Sequence, residues 1–164
     1  MGYTNYLTVK AITEDQFDLL CDVSAEAFYM WQKRFVGATL TLAPNADDKS
    51  NILAILVHSS LERKTEWGIV SDISKEWKKN RKIWIEFRDC EPICVVPDEE
   101  FIFCKTRQYE PQDTLTVAIF WLAHLIAENA TFESDGDETE TEDGRGFAEY
   151  ILRTREERKA RRFF

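Results

Sequence analysis

The chain has little of what catalysis and metal binding usually require. Histidine occurs twice, as His58 and His124, which leaves few candidates for proton transfer near neutral pH. There is no glycine-rich phosphate loop, no His-Glu-x-x-His and no Gly-x-Ser-x-Gly. Cys90-x-x-x-Cys94 has no matching second pair, which argues against a four-ligand zinc site. Long apolar runs are missing too. The longest, Val117 to Ala127, is shorter than the roughly 20 residues needed to cross a bilayer. No basic stretch followed by an apolar one opens the chain, so the expectation is a protein without a signal peptide. Met1-Gly2 is followed by Tyr6 where a myristoylation motif requires Ser or Thr. Cys21, Cys90, Cys94 and Cys104 are then expected to be reduced thiols in a cytoplasm. Positive charge is in deficit. Lys and Arg number 21 against 30 Asp and Glu, for a net charge of −9. Such a surface repels phosphates, so direct nucleic acid binding is disfavoured and a partner with a basic face is favoured.

What is present suits one folded domain over residues 1–164. Hydrophobic residues make up 44% of the sequence and aromatics 13%, enough for a substantial core. Tyr3 to Lys10 has the β-branched and aromatic content of a strand. Thr13-Glu14-Asp15-Gln16 is a capping box, in which the Thr13 side chain accepts from the third helical amide and Gln16 reaches back. The helix it opens places Phe17, Leu20, Cys21, Phe28, Trp31 and Phe35 on one stripe, with Gly37 as its stop. Ala38 to Ala43 and Ile52 to Val57 form a hairpin pattern around a polar loop. Trp67, Val70, Ile73 and Trp77 have helical spacing. Lys82 to Arg88, Pro92 to Val96 and Glu100 to Cys104 suggest an antiparallel meander. Asp113 is a candidate cap for an apolar helix over Thr114 to Glu128, followed by a strand at Thr131 to Glu133. The expected class is α+β: a mainly antiparallel sheet with helices packed on it.

Charge is concentrated near the C-terminus. Seven acidic residues and no basic one lie between Glu133 and Asp143, and six basic residues lie between Arg153 and Arg162. One expectation is a solvated acidic loop over about 133–144, followed by an amphipathic helix over about 146–162. The sharper expectation makes Asp137, Glu138, Glu140, Glu142 and Asp143 a recognition surface for a basic partner. Calcium is disfavoured, because a loop starting at Asp135 has Glu140 where the EF-hand needs glycine. The basic tail lacks interleaved aromatics, apart from Phe163-Phe164, and is a poor nucleic acid patch.

A nucleophilic role for Cys104 beside Lys105 would need a base, and nothing ties His58 or His124 to it. Cys104 and His124 both suit core positions. No residue is assigned to catalysis, no cofactor or metal is implied, and a non-enzymatic role is favoured.

Three segments stand out: Met1-Gly2-Tyr3-Thr4-Asn5-Tyr6, Phe101-Ile102-Phe103-Cys104-Lys105-Thr106 and Ser134-Asp135-Gly136. Together with Pro111-Gln112-Asp113 they resemble a family of small, uncharacterised bacteriophage and prophage proteins. The likeness covers the first ten residues and about 100–136. Lys105, Thr106, Pro111, Asp113 and Asp135 match the family pattern. Asn5 stands where relatives often have His, and Gln112 where Tyr is common. The resemblance implies an α+β fold and a phage context inside a bacterial host, and no particular activity. Two functional expectations follow. The first is a phage accessory protein that acts by binding a host protein with a basic surface, as an inhibitor of a defence system such as CRISPR. The second is a nucleotide or small-ligand module (a signal sponge or a weak nucleotide-processing enzyme) with Asn5, Lys105, Thr106 and Asp135 around one pocket.

Overall fold

The computed structural model describes residues 2–34, 55–56, 58, 61–87, 90–107 and 110–161. The first strand, β1 (Gly2–Thr8), is followed by helix α1 (Glu14–Arg34) and helix α2 (Glu66–Asn80). Strands β2 (Ile83–Ile85), β3 (Ile93–Val95) and β4 (Phe101–Arg107) come next. Helix α3 (Pro111–Ile126), strand β5 (Thr131–Ser134) and helix α4 (Glu138–Arg161) complete the chain. The class is α+β, with helices the larger part.

The capping box forms as its residue types require. The Gln16 amide N–H donates to Thr13 Oγ1 at 3.1 Å, and Gln16 Oε1 accepts from the Thr13 amide at 3.0 Å. Along α1, Phe17, Leu20, Cys21, Phe28 and Trp31 are buried. Phe35, Gly37 and most of the expected hairpin lie outside the described residues, and Ile55 and Leu56 of its second expected strand are helical. Helix α2 buries Val70, Ile73 and Trp77 and leaves Trp67 exposed. Thr65 caps it, accepting from the Gly68 amide at 3.2 Å.

The meander expected from the middle of the chain is not formed. Strands β2 and β3 pair with each other, whereas β4 pairs with β1 to give the order β4-β1-β5, antiparallel throughout. A short local hairpin uses up β2 and β3. The seven-residue β4 finds a longer partner in the seven-residue β1, and ladder length decides the pairing. In β1, Tyr3, Asn5 and Leu7 point inward; in β4, Ile102, Cys104 and Thr106 do. Helix α3 lies against this sheet and is covered by α1 and α4. Its Leu115, Ala118, Ile119, Phe120, Leu122 and Ala123 are fully buried, as a helix apolar almost all round requires. Helix α4 approaches α3 closely at Gly144, where a Cβ would stand 2.4 Å from Val117 Cβ.

Two expectations are corrected at the helix starts. Asp113 does not cap α3: the cap position is Glu110, Pro111 opens the helix, and Asp113 is a buried residue of its first turn. The acidic stretch is not a loop up to residue 144. Helix α4 begins at Glu138, because Asp137 and Glu140 form a second capping box. The Glu140 amide donates to Asp137 Oδ1 at 2.8 Å, and the Asp137 amide donates to Glu140 Oε1 at 3.0 Å.

Candidate functional site

The three segments singled out in the sequence meet in space, around one enclosed carboxylate. Asp113 accepts from the Tyr3 hydroxyl at 2.5 Å on Oδ1 and 2.6 Å on Oδ2, and from the Thr106 hydroxyl at 2.6 Å. Asn5 Nδ2 donates to Thr106 Oγ1 at 2.8 Å, and Asn5 Oδ1 accepts from the Ser134 hydroxyl at 2.9 Å. Ser134 Oγ in turn accepts from the Gly136 amide at 3.1 Å. Every donor in this chain points one way, from the β5 turn through β1 and β4 to the carboxylate on α3. Gly136 is required by the close approach of Tyr3, since a Cβ there would lie 2.9 Å from the phenol ring.

Burial governs the electrostatics. Desolvation raises the Asp113 carboxyl above its ordinary range, and the Thr106 and Tyr3 hydroxyls pull it back, while Glu140 and Asp143 push it further up. The Tyr3 phenol is raised by desolvation first and then by Asp113. Cys104 is buried, and its thiol is pushed up to about 12 by desolvation. That is the wrong direction for a nucleophile. None of the network's side-chain atoms is left without a partner. A closed, satisfied network of this kind holds elements together: it ties all three strands to α3, and the Tyr3 hydroxyl also reaches the Glu140 carbonyl of α4 at 3.2 Å.

The expected pocket of Asn5, Lys105, Thr106 and Asp135 is therefore divided. Asn5 and Thr106 are in the buried network, whereas Lys105 stands on the opposite, exposed face of β4. Its backbone amide donates to Glu91 Oε2 at 2.7 Å. Asp135 accepts from the Tyr6 hydroxyl at 3.0 Å, also on the outside. Strand alternation sends successive side chains to opposite faces, so adjacent Lys105 and Thr106 cannot share a pocket.

That outer face is the more notable surface. Phe101 and Phe103 are 54% and 60% exposed. Their ring centroids lie 6.2 Å apart, and Tyr6 on β1 is 5.6 Å from Phe101. Lys105 and Arg107 continue the same face along β4, and Glu133, paired with Tyr6 in the register, borders it on β5. In the sequence Phe101 and Phe103 belong to a strand pattern and to one of the three shared segments, and no binding role is assigned to them. Their i, i+2 spacing opposite Ile102, Cys104 and Thr106 was the signal for an exposed aromatic face.

The five acidic residues expected to bind a partner do not form one patch. Asp137 and Glu140 are engaged in the cap. Glu138 and Glu142 lie one turn apart on an exposed face with Arg145 and Glu149. Asp143 instead lines a cleft with Trp31, Phe147 and Tyr150. His124 holds the turn after α3, its Nδ1 lying 2.8 Å from the Ala130 carbonyl oxygen, and packs on Trp121. Among the described residues no group of His, Cys, Asp and Glu could hold a metal ion, and no helix is long and apolar enough to cross a membrane. No family model matches the chain, and neither the curated proteins nor the solved structures contain a match to it.

Proposed function

We propose that this protein acts by binding another protein through the outer face of the β4-β1-β5 sheet. The observation that carries the reading is the pair of exposed rings, Phe101 and Phe103, held on a strand whose other face is locked into the core. Exposed aromatics on a rigid support make good anchors, because little side-chain freedom is lost when they are covered. Glu133 and Asp135 border the rings on the β5 side and Lys105 and Arg107 on β4, so the apolar centre has a mixed charged rim, and the acidic side suits basic groups of a partner. Taken with the resemblance to phage proteins, the reading is a phage accessory factor that occupies a basic surface of a bacterial host protein. An effector of a defence system such as CRISPR fits that description, since nucleic-acid-handling effectors carry such surfaces.

The test is phage plating on host strains that each carry one defined defence system, with and without the protein. Rescue of plating by the wild type and its loss in a folded Phe101→Ser, Phe103→Ser variant are expected. Truncating a buried anchor of this kind costs about 2 kcal/mol or more of binding energy. If wild type and variant rescue equally, the sheet face is not the contact. If neither rescues in any strain, the anti-defence role is wrong.

A further inference from the structure

A second concave site uses none of the sheet residues. It is built from three helices: Glu26 of α1, Trp67 of α2, and Arg155, Arg158, Lys159 and Arg161 of α4 surround a cavity of about 370 Å³. Small-molecule sites typically occupy roughly 300–1,000 Å³. Four cations face a single carboxylate here, in a chain whose net charge is −9.

The cations are positioned by ion pairs that do not exhaust them. Glu26 is buried in α1, and Arg158 donates to its Oε1. Arg155 Nη1 lies 3.7 Å from the same oxygen, and its Nη2 lies 3.9 Å from Asp22 Oδ2. A guanidinium has five N–H donors, and among the described residues Arg155 Nε and Glu26 Oε2 are both buried without a partner. The Arg158 guanidinium stands 4.4 Å from the centroid of the Trp67 ring, which is 50% exposed. Among the described residues Lys159 reaches only toward exposed Glu156, at 3.8 Å. Basic residues in the last turn of a helix complement its dipole, which is sufficient reason for Arg158, Lys159 and Arg161. Ion pairs with Glu26 and Asp22 account for Arg155, but neither they nor the dipole account for its unpartnered Nε or for the exposed indole beside Arg158.

We propose that this cleft binds a phosphate-bearing anion of nucleotide size. Phosphate oxygens accept from Arg155, Lys159 and Arg161, and the planar part of the ligand lies against Trp67 and Arg158. The planar guanidinium fork matches phosphate geometry, and an aromatic ring beside a guanidinium is the usual platform for a base. The site is independent of the sheet-face reading and stands or falls separately.

The experiment titrates the full chain at low salt with ADP and, separately, with pyrophosphate, read by tryptophan fluorescence and thermal shift. Both probes are expected to quench the wild type and raise its melting temperature. In Trp67→Phe most of the quench is lost and the thermal shift remains. A Lys159→Gln, Arg161→Gln variant keeps its fold and binds ADP about a hundredfold more weakly, about tenfold for each of the two charge-assisted hydrogen bonds removed. Tighter binding of ADP than of pyrophosphate supports both parts of the site; equal or weaker binding of ADP overturns the platform at Trp67 and Arg158 and supports phosphate recognition alone. The proposal is overturned if neither probe shifts or quenches the protein at millimolar concentration. It is overturned equally if the double variant binds ADP as tightly as wild type.

Discussion

Asp113 shows how one buried charge organises its surroundings. Stripping a carboxylate of water is costly, and hydrogen bonds from Tyr3 and Thr106 offset that cost. Tyr3→Phe removes one donor and leaves the carboxylate short. A loss of about 1–3 kcal/mol in urea unfolding is expected. The same variant gives a pH signature. The folded-state Tyr3 phenol is raised above its ordinary value of 10.0, so its stabilising contribution is complete below that pH. Above it the unfolded chain ionises its phenol while the folded chain cannot, and stability falls with rising pH. Melting temperatures between pH 8 and 11 should therefore drop more steeply for wild type than for Tyr3→Phe. Parallel curves would mean that burial and the carboxylate together do not hold the phenol protonated. Residue chemistry is only partly visible in the sequence: Asn5, Lys105, Thr106 and Asp135 are expected around one ligand pocket, whereas Asn5 and Thr106 lie in the buried network, Lys105 and Asp135 lie on the outer face, and Asp113 is a buried acceptor instead of a helix cap.

At the scale of elements, α4 teaches the most. Its first turns are acidic and its last turns basic, which complements the helix dipole at both ends. The capping box Asp137-Glu138-Thr139-Glu140 was present in the sequence, with the same logic as Thr13-Glu14-Asp15-Gln16. Charge density hid it, because seven carboxylates without a basic neighbour look like a solvated loop. Asp137→Ala is expected to cost about 1 kcal/mol and to speed amide exchange in the first turn of α4. A loop in that place would show neither effect, so an unchanged exchange pattern would return the segment to the loop reading. Its consequence for recognition is geometric: a helix sends Glu142 and Asp143 to different faces, so the five acidic residues cannot share one strip.

For the whole molecule, the notable contrast is between the two faces of one small sheet. The inner face is sealed by α3 and the buried clasp, and the outer face carries Tyr6, Phe101 and Phe103. Because those rings touch mainly each other, Phe101→Ser with Phe103→Ser should change thermal stability little, within about 1 kcal/mol. A large drop in melting temperature would show that the rings support the fold and are not reserved for a partner. The basic cleft at Trp67 shares no residue with this face, so the two proposals are tested separately.

The sequence by itself determined the class and most of the helices. Periods of 3.6 and 2 and a capping box are local properties, and local physics decides them. Tyr3, Asn5, Thr106, Ser134 and Gly136 all come from the three segments singled out in the sequence, and they are joined in one hydrogen-bonded network that ends at Asp113 through Tyr3 and Thr106. Only the tertiary structure decided which strands pair, because β4 bonding to β1 instead of β3 is a competition between distant ladders. Only it decided, too, that the shared residues close on one another and not around a ligand. The reason is physical: a satisfied buried network and a binding pocket use the same polar residue types, and they differ only in whether every donor already has an acceptor.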